Sequence, residues 1–260
     1  MAKDLKYGLS ELPELLTTAD LILADSTYNK EELGNLGFSN VEVFPLLYDS
    51  KKWAVQENKG IAGILSNSKE VNILTVGRLA PNKCIEDTIK SFYFYHHKIN
   101  KNSKLWIVGH EIDTEIYAFE LRNLVKKLLL DNSVKFVGTV ANCELKAYFQ
   151  NSNLYMCMSE HEGFCVPLVE AMNFDLPIIA YDSSAIAETL GDAGLLVKNK
   201  SHAEIAEAMN LIISDNKIRE KFQSKAKIQI EKFSKKAFKL RLEKLLEANM
   251  SEGVSLKINA

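Results

Sequence analysis

The chain has 260 residues, 47% of them apolar and 25% charged, the balance of a water-soluble protein with one large domain or two small ones. A net charge of −2 speaks against a dedicated nucleic-acid binder, which presents a basic face; a small anionic ligand needs only one or two placed cations. No run approaches the roughly 20 apolar residues of a membrane span, and the first residues carry acids and Pro13 where a secretory leader has its apolar core.

In chain order, the first elements are a strand over 21–24, a helical stretch and a strand over 41–44, together too short to bury a core of their own. The 21–24 strand is apolar on both faces and belongs inside a larger sheet. Residues 48–70 are polar and lack strand or helix periodicity, so 49–70 is expected to be a linker. Strands follow over 72–77, 105–109, 134–138, 154–158, 177–181 and 195–197. Helical patterns fall between most of them, over 85–99, 116–130, 143–150 and 166–174, with a further one at 203–213. Continuous apolar strands alternating with helices predict an α/β domain with a Rossmann-like, doubly wound parallel sheet, covered on both faces. From 201 onward the chain is helical and charged, with amphipathic helices over 219–233 and 238–250, and 251–260 reads as a frayed end.

Four cysteines (Cys84, Cys143, Cys157, Cys165) show no C-x-x-C spacing, which predicts reduced thiols in a cytoplasmic protein rather than a disulfide framework or a zinc site.

Chemistry concentrates in two loops, each just past an apolar strand, where open α/β sheets bind ligands. The first is N-I-L-T-V-G-R-L-A-P-N-K-C-I-E-D over 72–87. Gly77 permits a tight exit, and Arg78 and Lys83 share the loop. Arg offers a planar fork and Lys a point charge, a pair suited to a diphosphate. The second is S-E-H-E-G-F-C-V-P-L-V-E-A-M over 159–172. Pro167 suits the first turn of a helix, where its missing N–H is no loss. The free N–H groups of that turn suit phosphate, and carboxylates of Glu162 and Glu170 can accept hydrogen bonds from sugar hydroxyls. Taken alone, two glutamates eight apart occur often by chance and read as a capping carboxylate plus a solvated one. His110 ends a strand on the same rim, His161 adjoins Glu162 with its side chain directed elsewhere, and His96 and His97 lie on an aromatic helix face.

In their full context these stretches resemble the GT4 family (glycosyl transferases group 1) of GT-B fold glycosyltransferases. Glu162 and Glu170 match its E-x7-E pattern within S-x-x-E-G-F-x-x-P-x-x-E-A-M. Residues 76–83 are similar to its V-G-R-L-x-x-x-K signature, 136–152 to its F-x-G-x-V-x-x-x-E-L-x-x-Y-x-x-A-D segment, and 183–197 and 19–49 to the stretches around these. Cys84 and Cys165 stand where the family usually has Gly, and Asp175 where the motif helix usually ends in Gly.

The resemblance implies the C-terminal, donor-binding half of a retaining enzyme that transfers a hexose from a GDP- or UDP-linked sugar to a glycan or lipid-linked acceptor in cell-envelope polysaccharide biosynthesis. It implies Arg78, Lys83 and Glu162 as catalytic. Gly77, Thr139, Val140, Gly163, Phe164, Cys165, Val166 and Glu170 are implied to bind the sugar nucleotide, with Glu162 on the sugar, Glu170 on the ribose and the turn after Gly138 on the base. Residues 1–48 then read as the tail of an acceptor-type domain and its crossover, 71–200 as the nucleotide-sugar domain, and 201–260 as helices packing on it. No metal cofactor is expected, since the chain lacks an Asp-x-Asp triplet; the expected location is cytoplasmic or peripheral to the membrane. The alternative is a non-catalytic sugar-nucleotide-binding module of a split enzyme, whose partner chain supplies the acceptor domain.

Overall fold

Short alternation at the N-terminus gives short strands. Ile22–Ala24 (β1) and Val41–Val43 (β2) pair in parallel, Ile22 opposite Val41 and Ala24 opposite Val43. Between them lies Thr27–Asn35 (α1). Its start is fixed by Ser26, in extended backbone, whose Oγ accepts from Asn29 N at 3.2 Å, satisfying one orphan helix N–H. Ala24, Phe38 and Val41 make a small core. Among the described residues the 21–24 strand joins a two-stranded sheet rather than a larger one, and Leu23 is exposed.

The structure is a computed structural model and describes residues 16, 18–67 and 69–251. It divides into two compact units, 1–48 with 231–260, and 49–230.

The second unit opens with a 3₁₀ turn, Ser50–Trp53, and a helix, Lys59–Asn67 (α2). Among its described residues the stretch predicted as a linker therefore carries a 3₁₀ turn and a helix. Asn58 Oδ1 accepts from Gly60 N and Ile61 N and so caps the helix; Leu65 and Trp53 are buried. Ile61, Ile64 and Leu65 stand at helical spacing, but over one short stretch, and Gly60 and Gly63 lower its propensity; packing overrides that.

Six strands then form one parallel sheet: Val71–Val76 (β3), Ser103–Val108 (β4), Val134–Gly138 (β5), Leu154–Cys157 (β6), Ile178–Tyr181 (β7) and Leu195–Val197 (β8). Their order is β5-β4-β3-β6-β7-β8. The chain winds one way from β3 through β5 and the other way from β6 to β8, so the reversal falls between β3 and β6. Crossovers are Ile85–Phe94 (α3), Glu115–Lys127 (α4), Asn142–Asn151 (α5), Val166–Asn173 (α6) and Ile186–Leu190 (α7). The predicted helix over 85–99 is α3 continued by one π-helical turn, Tyr95–Ile99. After β8 come His202–Ser214 (α8) and Asn216–Glu231 (α9).

Strand periodicity assigns the two faces. Ile73, Leu105, Ile107, Leu154, Met156 and Ile179 share a core with Ile89 and Phe92 of α3, Leu121 of α4 and Met209 of α8. On the opposite face Trp106 packs on Tyr148, and Tyr155 on Phe149, which stacks on Phe174 with Trp53 edge-on to both rings. Asn72, polar and buried, is satisfied there: its Oδ1 accepts from Trp106 Nε1 and its Nδ2 donates to Leu65 O, as a buried amide requires.

The last helix is Lys235–Ser251 (α10). The chain breaks at 232–234, where Ser234 Oγ accepts from Ala237 N. Residues 231–260 group with 1–48: Phe238 meets Phe44 edge-on at 4.9 Å, and Tyr48 N donates to Phe233 O. Residues 252–260, read as frayed, lie outside the described residues, as do 1–15.

Candidate functional site

The rim at the carboxyl ends of the strands is held together by main-chain bonds between successive loops. Gly77 N donates to Val108 O at 2.9 Å, Leu79 N to His110 O at 2.8 Å, and Gly109 N to Gly138 O at 2.9 Å. The loops leaving β3 and β6 are likewise joined: Glu160 N donates to Asn82 O, and Asn82 Nδ2 to His161 O.

This bracing brings the two sequence loops into contact. Lys83 Nζ lies 2.6 Å from Glu162 Oε1, with the carboxylate side chain only 9% exposed and the lysine 24%. Both line a cleft with Gly77, Thr75, Cys157 and Ser159. Glu162 is fixed from behind, since its N–H donates to Ser184 Oγ at 2.8 Å and its carbonyl accepts from Ala185 N. Arg78 is exposed on the same loop and forms no ion pair among the described residues.

Glu170 is placed differently. It is buried on α6, and its carboxylate is bonded to the ammonium of Lys52, which also sits over the Trp53 ring at 4.7 Å. Both glutamates are near Tyr155, whose hydroxyl donates to Val76 O. Burial first, then the thiols of Cys157 and Cys165 and the two carboxylates, push that phenol well above its usual pKa.

The turn before α6 runs through Gly163, Phe164 and Cys165, and Val166 opens the helix. Cys165 takes left-handed backbone with φ of 68° immediately before the helix, and Pro167 sits in its first turn. Phe164 is buried, and its carbonyl accepts from Thr189 Oγ1. The Cys165 thiol is pushed well above its ordinary value by hydrogen bonding with Cys157 and by burial.

A second cleft lies at the exits of β4 and β5. It is lined by Gly109, His110, Glu111, Arg122, Phe136 and Thr139. Arg122 pairs with Glu111 at 2.6 Å and lies over the Phe136 ring. Thr139 lines this cleft; Val140 follows it before α5. The structure thus joins Gly77, Lys83 and Glu162 at one cleft, places Thr139 at the next, and leaves Glu170 tethered to Lys52. His96 is a packing group between Ser103 and Ser133.

Three contributors escape sequence reading. Lys52 sits in the supposed linker, and nothing there marks it. Ser184 and Lys200 are separated from the loops they brace by 22 and 40 residues. Lys200 bonds Asp87 at 2.9 Å and Glu160 at 2.8 Å, and His202 bonds Asp87 at 3.0 Å.

Burial alone raises the Asp87 carboxyl, but hydrogen bonds from Lys200 and His202 outweigh it and hold it below its ordinary 3.8. A carboxyl depressed by folding contributes stability that is present above its unfolded pKa and is lost as pH falls through the folded value. Asp87→Asn is therefore expected to lower stability by about 1–2 kcal/mol near neutral pH. The difference from the parent shrinks as pH drops below about 4, which urea unfolding at a series of pH values measures.

The family model described as "Glycosyl transferases group 1" matches residues 57–229, which lie within the 49–230 unit. A curated relative, the amylovoran biosynthesis glycosyltransferase AmsD of Erwinia amylovora, is 30% identical over 224 residues, covering 85% of this chain and 57% of its own. The chain spans about three-fifths of the length of the curated relatives it matches first. Among solved structures, HepE of Anabaena, in complex with UDP and glucose, superposes with a TM-score of 0.80 at 20% identity, over 92% of this chain and 66% of its own. The C-terminal domain of a glycosyl transferase group 1 protein, LpcC of Francisella tularensis, superposes with a TM-score of 0.59 at 24% identity, over 72% of this chain and 99% of its own. These likenesses carry the fold, the Rossmann-like C-terminal domain of GT-B glycosyltransferases. With the family model spanning most of the chain, and the strand-to-loop signatures on one braced rim, the chain belongs to the glycosyl transferases group 1 family.

Proposed function

We propose that this chain is the donor-binding half of a retaining hexosyltransferase acting on a nucleotide-diphospho-sugar. The observation that carries the reading is the Lys83–Glu162 pair, held between the loops of β3 and β6 where the sheet order reverses, the place at which open α/β sheets bind ligands. Arg78 and Lys83 face the diphosphate, Glu162 the sugar and Glu170 the ribose. Main chain at Gly77 and from Gly163 to Val166 approaches the phosphates and sugar, and the Thr139–Val140 turn approaches the base.

In the reaction the bond between the anomeric carbon and the diphosphate oxygen breaks. The acceptor hydroxyl attacks from the same face, and its proton passes to the departing phosphate oxygen. Arg78 and Lys83 stabilise the charge that grows on that oxygen, the strongest stabilisation open to a site without a protein nucleophile. No metal is assigned a role. The acceptor is a glycan or a lipid-linked sugar, the work is cell-envelope polysaccharide synthesis at the cytoplasmic side, and the base is uracil or guanine. No described helix is long and apolar enough to cross a membrane.

The second reading is a sugar-nucleotide-binding module whose partner chain supplies the acceptor domain. Isothermal titration with UDP, GDP and ADP tests what both readings share. Saturable binding of UDP or GDP is expected, and no heat from any of the three at millimolar concentration would sink the proposal.

A further inference from the structure

Two thiols flank the Glu162 loop, and the proposed recognition of the sugar nucleotide uses the main chain there and neither sulfur. Cys157 ends β6 and Cys165 precedes α6; both are buried, with Sγ atoms 3.9 Å apart. One donor atom from each of Cys157, Glu162 and Cys165 lies within 4.8 Å of the others. We propose that these three residues bind a thiophilic divalent cation of the zinc class, leaving one position open toward the cleft of Gly77 and Lys83.

Two observations carry the assignment. The first is spacing. Zinc bonds to thiolate sulfur at about 2.3 Å in tetrahedral geometry, which places two such sulfurs about 3.8 Å apart; the thiols already stand near that separation. The second is charge. Two thiolates and a carboxylate sum to three negative charges, the cation supplies two positive ones, and the Lys83 ammonium on Glu162 supplies the third. A buried cluster without that balance carries a steep desolvation penalty.

The other cysteine-acid cluster, Cys84 with Glu86 and Asp87, has both carboxylate oxygens of Asp87 bonded, whereas Glu162 is bonded to Lys83 through Oε1 alone. Tyr117 bonds Glu86, and Lys200 and His202 bond Asp87. A consequence follows that rests on the donor reading: the cation draws Glu162 away from the sugar, so zinc inhibits. The binding itself does not depend on that reading.

Cobalt(II) is the probe, titrated into the chain under a phosphine reductant without nucleotide, and followed by thiolate-to-cobalt charge-transfer absorption. The expected result is saturation at one cobalt per chain and displacement by one equivalent of zinc(II). Cys157→Ala and Cys165→Gly, the latter suited to its backbone, each weaken binding at least tenfold, whereas Cys84→Gly leaves it unchanged. Circular dichroism identifies whichever variants fold, and either one suffices. Absence of the thiolate band at tenfold excess of cobalt, or a band that survives in the folded variants, overturns the proposal.

Discussion

Lys83→Ala is expected to bind UDP or GDP about 30- to 100-fold more weakly than the parent chain. Two losses act together. The ammonium is a charge-assisted donor on the loop assigned to the diphosphate, and such bonds contribute about 2–3 kcal/mol. Its removal also leaves the Glu162 carboxylate, 9% exposed, without its cation beside an anionic ligand, so repulsion adds to the missing attraction. Arg78, exposed on the same loop, retains part of the binding. The substitution destabilises the fold less than a fully buried pair would, because Lys83 is partly solvated. Isothermal titration separates the effects when paired with a thermal melt. Unchanged nucleotide affinity in a folded Lys83→Ala chain would remove this residue from the diphosphate site.

Gly109→Ala is expected to cost about 4 kcal/mol of stability, from overpacking and backbone strain combined. A Cβ at this position would stand 1.8 Å from the Gly77 carbonyl oxygen and 2.6 Å from its carbon, at a φ of 153°. The obstacle is main chain and cannot swing aside: Gly77 N is bonded to Val108 O, and Leu79 N to His110 O. For a unit of this size the loss lowers Tm by roughly 10 °C, as calorimetry reads. Gly138→Ala is the internal comparison. Its φ of 80° also disfavours a side chain, but nothing lies within 4 Å, so backbone strain alone remains, about 1 kcal/mol. Equal losses in the two variants would show that the clash with Gly77 is not the cause.

The sheet was legible because buried parallel strands leave continuous apolar runs, and the runs at 72–77, 105–109 and 154–158 each appear as a strand. The contact between Lys83 and Glu162 was legible only as two loops on one rim; periodicity places residues on elements and does not pair their side chains. Glu170 and Glu162 looked like one carboxylate pair by spacing, yet each has its own lysine. Lys52 was invisible because α2 and the turn before it draw their stability from packing of Trp53 and Leu65, and the helical spacing of Ile61, Ile64 and Leu65 is short and interrupted by the low-propensity Gly63. The C-terminal helices were legible as helices. That 231–260 groups with 1–48 depends on contacts nearly two hundred residues apart, which no local pattern encodes.

The pairing of β3 with β6 joins Ile73 to Leu154 across 81 positions, whereas every other neighbouring pair in the sheet links strands that follow one another in sequence. Closing that pair is the step with the largest chain-entropy penalty. The β3-β4-β5 and β6-β7-β8 halves can each form before it, and neither contains both Lys83 and Glu162. The cleft proposed for the nucleotide therefore comes into being only when the two halves join. During refolding, nucleotide binding should report that final assembly, lagging the recovery of helical signal.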